Sequence, residues 1–477
     1  MKRAAGVLLH ITSLPGEYGI GGFGDEAKRF IDRLSDGGFT YWQVLPFSQP
    51  DEFFSPYKSY SAFAGNYYLI DLRPLQRAGL LTREELDGAR QKTPYSCELR
   101  RLEAERLDLL FRAAGRVKAR GAVADFLAAH PEIAAYCRYM TLRRKNGNTA
   151  WCDWRDLDPD GEELFAWGFI QYEFFRQWAE VRAYAHDKGI RIIGDVPMYV
   201  SYDSADVFTH PHLFDLDTKG HPKHVAGVPP DYFAKDGQLW GNPLYRWDEM
   251  AKDGYAWWRA RISALFDWFD GVRIDHFRAL ESYWEVPADA KTAKEGKWKP
   301  GPGKPFIRAL REAAGERLLI AEDLGDVTDD VRELIRYSGF PGMGVFQFAF
   351  FGDPKSPHLP YNYPENLVAY TGTHDNNTLL GYMWEQDEAT RRRILAYCNY
   401  EGDKWDACYD HVLKTMLASH AGLVIFPLQD LLRFGSDCRM NTPGRAEGNW
   451  AWRTTEQQLT GIDWRRLHDW MELYGRI

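Results

Sequence analysis

Four carboxylates of this sequence follow apolar segments directly or closely. Asp195, Asp275 and Glu322 each end a run of mostly apolar residues, and Asp375 comes shortly after a fourth run. A charge that loses its water is costly, so these positions are poor choices for stability alone. Two acids on either side of a glycosidic bond can cleave it, one as proton donor and one as nucleophile or base, while further groups hold the sugar hydroxyls.

Asp275 is the strongest candidate for a nucleophile. Arg273 lies two residues earlier, so both side chains share one face of a predicted strand. A neighbouring guanidinium keeps a carboxylate ionised and oriented, as a nucleophile requires. The alternative interpretation is a buried Arg–Asp pair that only stabilises the core.

Glu322 is the candidate general acid. It follows Leu-Leu-Ile-Ala, a setting that should remove water and raise its pKa, and a general acid must hold its proton near neutral pH. The alternative is a carboxylate whose bonds to backbone amides serve only the strand end. Asp323 follows directly, and because neighbouring strand residues face opposite sides, the sequence leaves open which acid points inward.

The pair His374–Asp375 follows Thr-Gly-Thr, small residues that allow a substrate to approach the backbone. A turn with a capping aspartate is the simpler alternative. Asp195 ends Arg-Ile-Ile-Gly in the same way as the other acids. One such strand end would be weak evidence, but four together indicate a shared site.

The elements that would position these acids are eight apolar runs that we predict to be buried parallel strands. They are Val7–Ile11, Tyr41–Pro46, Ile190–Val196, Gly271–His276, Leu318–Asp323, Met343–Phe350, Val368–His374 and Leu423–Leu428. Helical patterns lie between several of them, for example Asp25–Leu34 and Phe306–Gly315. The alternation predicts an α/β fold, a (β/α)8 TIM barrel, whose active site is formed at the carboxyl ends of the strands.

Two intervals are too long for a single βα unit. We predict an insertion at about 72–170, a mostly helical subdomain that includes the charged block Leu81–His130. A second insertion at about 198–262 is rich in Pro, Gly, His and aromatic residues, and we place it over the active site as a loop-rich subdomain. The domain prediction is one catalytic barrel over 1–477 without a C-terminal β-sandwich, because only 49 residues follow the last predicted strand.

Composition excludes several classes of function. The net charge is −9 and the sequence pI about 5.9, which argues against a nucleic-acid partner because such proteins carry clustered Lys and Arg. The six cysteines form no Cys-x-x-Cys pair, which favours a reducing compartment over a disulfide framework or zinc site. We find no signal peptide and no apolar run of transmembrane length, and therefore expect a cytoplasmic protein without membrane contact.

Aromatic residues make up 15% of the sequence, and several lie in segments that read as loops, such as 229–243 with Trp240. A filled core accounts for most of them, yet flat rings on loops also suit sugar rings.

Two other patterns carry less weight. The glycines at 19, 21 and 24 match a dinucleotide fingerprint, but the second strand lacks the acid that holds a ribose. The histidines at 210, 212, 221 and 224 lie in an irregular loop, where solvated side chains are more common than metal ligands.

Taken together, the motifs resemble those of the amylomaltase family, the 4-α-glucanotransferases or disproportionating enzymes of the α-amylase superfamily. The resemblance covers nearly the whole chain. The motifs are Ser55-Pro-Tyr57-Lys-Ser-Tyr-Ser-Ala-Phe-Ala-Gly-Asn66, Gly194-Asp195-Val-Pro, Asp203-Ser-Ala-Asp206, Gly237-Gln-Leu-Trp240-Gly-Asn-Pro243, Arg273-Ile-Asp275-His-Phe, Ala321-Glu322-Asp-Leu-Gly, Gly372-Thr-His374-Asp375-Asn and Met440-Asn-Thr-Pro-Gly.

The resemblance implies separate roles for the acids. Asp275 would be the nucleophile, Glu322 the acid/base and Asp375 the group that stabilises the transition state through sugar hydroxyls. The residues that would line the donor and acceptor subsites are Tyr57, Asp195, Trp240, Arg273 and His374. The family has an inserted (β/α)8 barrel without a C-terminal β-domain and uses no organic cofactor, and we expect no metal.

The function that the resemblance implies is transfer of α-1,4-glucan segments between maltooligosaccharides, by retaining double displacement through a β-glycosyl-aspartate. The partners are then maltooligosaccharides and α-1,4-glucans, with no nucleic acid, and the oligomeric state stays open. An α-1,4-glucan hydrolase with the same three acids is the main alternative. A catalytically silent glucan-binding protein is a third, which the presence of all three acids disfavours.

Overall fold

The computed structural model describes residues 2–230, 235–402, 405–445 and 447–477. Eight parallel strands are arranged in the order β10-β11-β12-β1-β2-β3-β6-β9. The amide of Ala321, the last residue of β9, donates a 2.9 Å hydrogen bond to the carbonyl of Pro341, just before β10. This contact joins the two edge strands, so the sheet closes and the predicted barrel is confirmed.

The strands of the barrel are short and almost entirely buried, as expected for a parallel sheet covered by helices. In order along the chain they are β1 (Ala4–Leu8), β2 (Tyr41–Gln43), β3 (Arg191–Val196), β6 (Gly271–Ile274), β9 (Leu318–Ala321), β10 (Gly342–Val345), β11 (Leu367–Tyr370) and β12 (Leu423–Pro427).

All eight predicted runs contain a barrel strand, but seven of the predicted strands end earlier in the structure, and only the run 190–196 ends at the predicted residue. The difference is largest, four residues or more, in two of them. The run 343–350 leaves the sheet after Val345, where a 3-10 turn begins. The run 368–374 leaves it after Tyr370, and beyond this point the side chain of Asn376 accepts a 2.8 Å bond from the amide of Thr373. A side chain that binds the backbone in this way competes with the ladder of the sheet.

The helices surround the barrel and build the inserted region. They are α1 (Asp25–Asp36), α2 (Leu72–Arg77), α3 (Arg83–Gly88), α4 (Leu99–Gly115), α5 (Gly121–Ala129), α6 (Pro131–Lys145), α7 (Gly161–Asp187), α8 (Ala205–Thr209), α9 (Trp247–Lys252), α10 (Ala256–Trp268), α11 (Gly303–Ala314), α12 (Asp329–Ser338), α13 (Leu379–Glu385), α14 (Glu388–Tyr397), α15 (Trp405–Ala418), α16 (Leu428–Leu431), α17 (Glu456–Thr460) and α18 (Trp464–Leu473).

The long helix α7 connects the barrel to the inserted helices. It packs against α1 and α10 of the outer ring, and also against α4, α5 and α6. Its buried residues include Trp167, Phe174 and Trp178. Burial of large aromatic side chains on both sides gives this helix one continuous core with the barrel.

A second, antiparallel sheet has the order β5-β4-β7-β8 and was not predicted. Strands β4 (His224–Val228) and β5 (Gln238–Pro243) come from the connection after β3, and β7 (Ser282–Pro287) and β8 (Lys297–Pro300) from the connection after β6. These strands are short and carry Gly and Pro, which weaken the sequence signal of a strand. Residues 231–234 of the predicted insertion 198–262, which include part of the aromatic loop 229–243, lie outside the described residues.

Beyond β12, the regular elements of the described residues 428–445 and 447–477 are helical. In the part of the chain that the structure covers, no helix combines the length and the apolar character needed to cross a membrane.

Candidate active site

The four acids singled out in the sequence lie at one end of the barrel. Asp195 is the fifth residue of β3, while Asp275 and Glu322 directly follow β6 and β9. Strands β3, β6 and β9 are neighbours in the sheet, so their carboxyl ends are adjacent. Asp375 follows β11 across the mouth of the barrel. This is the end at which TIM barrels form their active sites.

Arg273 holds two of the acids together. Its Nη1 lies 2.9 Å and 2.7 Å from the two carboxylate oxygens of Asp195, and its Nη2 lies 3.0 Å from Oδ1 of Asp275. The side chain of Asp195 has no exposed surface, whereas that of Asp275 is 30% exposed. Burial opposes the charge of Arg273, but the two acids hold its pKa above the ordinary value. The buried Asp195 therefore holds Arg273 in place, and Arg273 in turn orients the partly exposed Asp275.

The backbone around Asp275 is tied to both neighbouring strands. The amide of Asp275 donates to the carbonyl of Val196 at 3.0 Å, and the amide of Glu322 donates to the carbonyl of Ile274 at 3.1 Å. One residue before Asp195, Gly194 faces the ring of Phe269, which a Cβ at this position would meet at 2.1 Å. The approach of β3 to its neighbours thus depends on glycine next to the buried acid.

The carboxyl group of Glu322 accepts two backbone hydrogen bonds. The amide of His276 donates to Oε2 at 2.7 Å and that of Leu324 to Oε1 at 3.0 Å. His276 adopts the left-handed conformation with φ 51°, which is uncommon for a residue with a side chain and turns its amide toward the acid. Burial raises the pKa of Glu322 to about 7, with Arg273 opposing the rise and Asp275 adding to it. A carboxyl group with this pKa holds a proton near neutral pH.

The choice between Glu322 and Asp323, left open by the sequence, is resolved by their contacts. Oδ1 of Asp323 accepts a 2.7 Å bond from the amide of Met343, and its carboxylate packs against Gly342 in β10. Burial raises the pKa of Asp323 to about 6, but Arg273 and Asp275 are not among its electrostatic neighbours. Glu322 is therefore the acid that shares its surroundings with Asp275, and Asp323 is bonded to the next strand.

Asp375 is held in its ionised form by two neighbours. Nε2 of His374 lies 3.3 Å from Oδ2, and Nδ2 of Asn441 donates to Oδ1 at 2.6 Å. Although burial favours the neutral acid, His374 and Asn441 together lower the pKa of Asp375 well below its usual range. The same pairing raises the pKa of His374 against the effect of its burial. The side chain of Asp375 is still 44% exposed, so it can accept hydrogen bonds from a ligand.

Aromatic rings line the mouth of the barrel next to these acids. The ring of Tyr57 stacks on His374 with centroids 5.1 Å apart, and Trp450 lies 5.9 Å and 6.0 Å from the two rings. The hydroxyl of Tyr57 donates to Oδ2 of Asp195 at 2.8 Å. Tyr57 thus connects the acid behind Arg273 with the imidazole beside Asp375.

Trp240 borders the other side of Asp275. It lies in β5, and its indole contacts the imidazole of His276 edge-on with centroids 4.9 Å apart. Burial lowers the pKa of His276 to about 4, although Asp275 opposes this, so the imidazole is neutral at pH 7. The antiparallel sheet that was not predicted is therefore the element that brings Trp240 to the candidate site.

The structure brings together all eight site residues named from the sequence, and adds two whose contacts were not assigned. Asn441 bonds to Asp375, and the backbone amide of Asn441 donates to the carbonyl of His374 at 3.1 Å. Trp450 has φ 65° in the Gly-Asn-Trp segment that follows. Asn441 lies in the motif Met440-Asn-Thr-Pro-Gly, which could have indicated that it belongs to the site. Nothing in the local sequence indicates the same for Trp450.

The two patterns given less weight lie in other surroundings. Gly21 packs against the backbone of Ile11, which a Cβ would meet at 2.0 Å, and Gly24 caps the amino end of α1. His210 lies 3.5 Å from Glu132, and Nδ1 of His224 lies 2.7 Å from Asp215. Gly21, Gly24, His210 and His224 therefore have structural contacts that account for them.

This chain is similar to known proteins over its whole length. Residues 9–459 match the model of the family described as 4-alpha-glucanotransferase. The chain is 42% identical over 496 residues to the 4-alpha-glucanotransferase of Streptococcus pneumoniae, with 100% of this chain and 98% of the relative aligned. It is 41% identical over 500 residues to that of Thermus thermophilus, with 100% of both chains aligned. The structure of the amylomaltase from Streptococcus agalactiae in complex with acarbose has a TM-score of 0.95 and 36% identity, covering 100% of both chains.

Proposed function

This chain belongs to the 4-alpha-glucanotransferase family, and we propose that it transfers α-1,4-glucan segments between maltooligosaccharides by double displacement at Asp275. The observation that carries the mechanism is the contrast between two neighbouring acids. Asp275 is partly exposed and lies 3.0 Å from a guanidinium, while burial raises the pKa of Glu322 to about 7. An ionised nucleophile beside a protonated acid is the combination that a retaining glycosidase needs.

In the first step, Glu322 donates its proton to the oxygen of the scissile bond while Asp275 attacks the anomeric carbon. The C–O bond breaks, the reducing-end fragment leaves as an alcohol, and a β-glycosyl-aspartate forms. Arg273 orients the carboxylate of Asp275 for attack, because the buried Asp195 holds the guanidinium in place. For retention, the two carboxyl groups should lie about 5–5.5 Å apart.

In the second step, the ionised Glu322 removes a proton from the 4-hydroxyl of an incoming sugar, which attacks the anomeric carbon and releases Asp275. Two inversions give net retention and restore the α-1,4 bond. The low pKa of Asp375 keeps it ionised throughout, so it accepts hydrogen bonds from sugar hydroxyls as positive charge develops on the ring. Tyr57, His374 and Trp240 provide flat surfaces for the sugars on either side.

Transfer rather than hydrolysis requires that a sugar reaches the intermediate before water does. The connection that carries β5 places Trp240 beside His276, next to the nucleophile, and Trp450 borders Tyr57 and His374. Aromatic walls on both sides bind an acceptor sugar and exclude water from the cleft. Acarbose, which the Streptococcus agalactiae relative binds, should occupy this cleft and inhibit the reaction.

Incubation with pure maltotriose separates transfer from hydrolysis. We expect glucose and a ladder of longer maltooligosaccharides, with a constant number of reducing ends, because each cleaved bond is replaced by a new one. The Asp275→Asn variant is the control and should give neither product. Rising reducing ends without longer products would contradict transfer and support the hydrolase.

A further inference from the structure

A groove separate from the candidate active site lies against one face of the antiparallel sheet. The pairing of Glu285 with Lys297, and of Tyr283 with Lys299, places these four side chains on the same face. The opposite wall is formed by the segment 244–248, which directly follows β5. The volume of the groove is about 460 Å³, which is within the range of small-molecule sites.

Two aromatic residues border this groove. Trp247 packs against Phe306, with centroids 5.2 Å apart, and is only partly buried. Tyr283 is also partly buried, and burial raises the pKa of its hydroxyl to about 12, so it is a donor at neutral pH. A flat ring beside polar donors is the arrangement that packs against the C–H groups of a sugar and binds its hydroxyls.

Glu285 provides an acceptor at the floor of the groove. Its side chain is 10% exposed, yet the nearest cationic nitrogen is Nζ of Lys297 at 3.3 Å, followed by Lys299 at 3.8 Å and His224 at 3.9 Å. These contacts are longer than charge-assisted hydrogen bonds of about 2.7–2.9 Å. The carboxylate oxygens therefore keep capacity for the hydroxyl groups of a ligand.

The charges around the groove favour a neutral ligand. Its lining has as many permanent cations as carboxylates, namely Arg246, Lys297 and Lys299 against Asp215, Asp248 and Glu285. A phosphate or another anion would meet these carboxylates, and a cation would meet the lysines. A polyhydroxylated, uncharged molecule can instead hydrogen-bond to both kinds of group.

We propose that this groove is a second, non-catalytic binding site for an α-1,4-glucan segment. The choice of glucan rests on the substrate class proposed above. Strand β5 connects the two places, since it carries Trp240 beside His276 and leads directly into the wall of the groove at Leu244. A long glucan held in the groove raises the local concentration of donor and acceptor ends near the cleft.

Binding can be measured without turnover in an Asp275→Asn background, by electrophoresis of the full chain through a gel that contains amylose. Tyr283→Ala and Glu285→Gln should each weaken the retardation by about fivefold, the effect of losing one hydrogen bond. The matched controls are Tyr361→Ala and Glu333→Gln, which change an exposed tyrosine and an exposed, lysine-paired glutamate elsewhere. Unchanged retardation in both groove variants would overturn the second site.

Kinetics in the otherwise wild-type chain give an independent readout. We expect KM for amylose to rise by about fivefold in both groove variants, while kcat/KM for maltotriose stays within twofold, because a trisaccharide bound in the cleft leaves the groove empty. An equal loss on both substrates would also overturn the proposal, since it would show an effect on the active site or the fold. If the wild-type chain transfers nothing, the proposed function fails, but the gel still tests the groove.

Discussion

Nη2 of Arg273 lies 3.0 Å from Oδ1 of Asp275, while Nη1 of the same guanidinium binds the fully buried Asp195. The guanidinium therefore serves two acids in different environments. The buried acid is fixed by two contacts of Nη1 and by the Tyr57 hydroxyl. Asp275 keeps an exposed surface that a substrate can reach. Its orientation depends on the contacts among Arg273, Asp195 and Tyr57.

Removing Arg273 should therefore affect stability as well as turnover. Arg273→Ala leaves Asp195 buried without its cation, which should cost about 3–5 kcal/mol of the free energy of unfolding. In the double variant with Asp195→Asn the cost should be smaller than the sum of the single changes, because no buried charge is left unpaired. Denaturant titrations of the three variants measure this coupling, and additive losses would contradict it.

Replacing the nucleophile should abolish transfer and leave the fold intact. Asp275→Asn keeps the size of the side chain but cannot form the glycosyl ester, so kcat on maltotriose should fall by about 10³-fold or more. The midpoint temperature of thermal unfolding should change little, because the side chain of Asp275 is 30% exposed and makes one ion pair. Substantial residual transfer in a correctly folded variant would remove Asp275 from this role.

The barrel could be predicted from the sequence because its strands are continuous apolar runs whose burial follows from composition alone. The four acids could be found because each lies where such a run ends. Which of Glu322 and Asp323 points toward the site could not be predicted. It depends on the left-handed turn at His276 and on the amide of Met343 in the next strand. Neither of these contacts leaves a local signal beside the acids.

The antiparallel sheet could not be predicted from local sequence patterns, for a related reason. Its strands come from two separate connections, and β5 reads Gln-Leu-Trp-Gly-Asn-Pro, a sequence typical of a loop. Pairing with the preceding strand β4 makes it a strand, and β4 pairs in turn with β7, which is about 60 residues later in the sequence. Trp240 was named from the resemblance, but the element that positions it is visible only in the structure.

The pH dependence of turnover should report the pKa of Glu322. Because this pKa is raised to about 7, the acid is protonated below that pH and loses its proton above it. The value of kcat/KM should therefore fall about tenfold per pH unit on the alkaline side. Glu322→Gln should lower activity by about 10²–10⁴-fold and abolish this limb.

Asp323→Asn is the matched control for this profile. Asn can still accept the bond from the amide of Met343, so the alkaline limb should stay where it is. A limb that moves or disappears in this variant would assign the titration to Asp323 instead. A wild-type profile that is flat from pH 6 to pH 9 would contradict a raised pKa for Glu322.

Asn441 should act as a positioning residue for Asp375. Its Nδ2 donates to Oδ1 at 2.6 Å, and together with His374 it lowers the pKa of that acid. Asn441→Ala should reduce kcat/KM by about 10- to 150-fold, because one charge-assisted hydrogen bond of about 1.5–3 kcal/mol is lost. Only the ionised form of Asp375 accepts hydrogen bonds from the sugar hydroxyls, so its protonation should lower activity on the acidic side of the pH profile. Loss of the Asn441 bond should raise the pKa of Asp375 and so move this acidic limb to higher pH.

A second substitution, Asn441→Asp, separates positioning from packing, since it keeps the shape of the side chain but places another carboxylate beside Asp375. Repulsion between the two acids should raise the pKa of Asp375 further than Asn441→Ala does, and so shift the acidic limb further. Asn362→Ala removes comparable amide hydrogen bonds, to Pro354 and Ser356, on an exposed turn and should leave the profile unchanged. If the two Asn441 variants lose activity without any shift of the limb, Asn441 supports the fold around Asp375 but does not tune its charge.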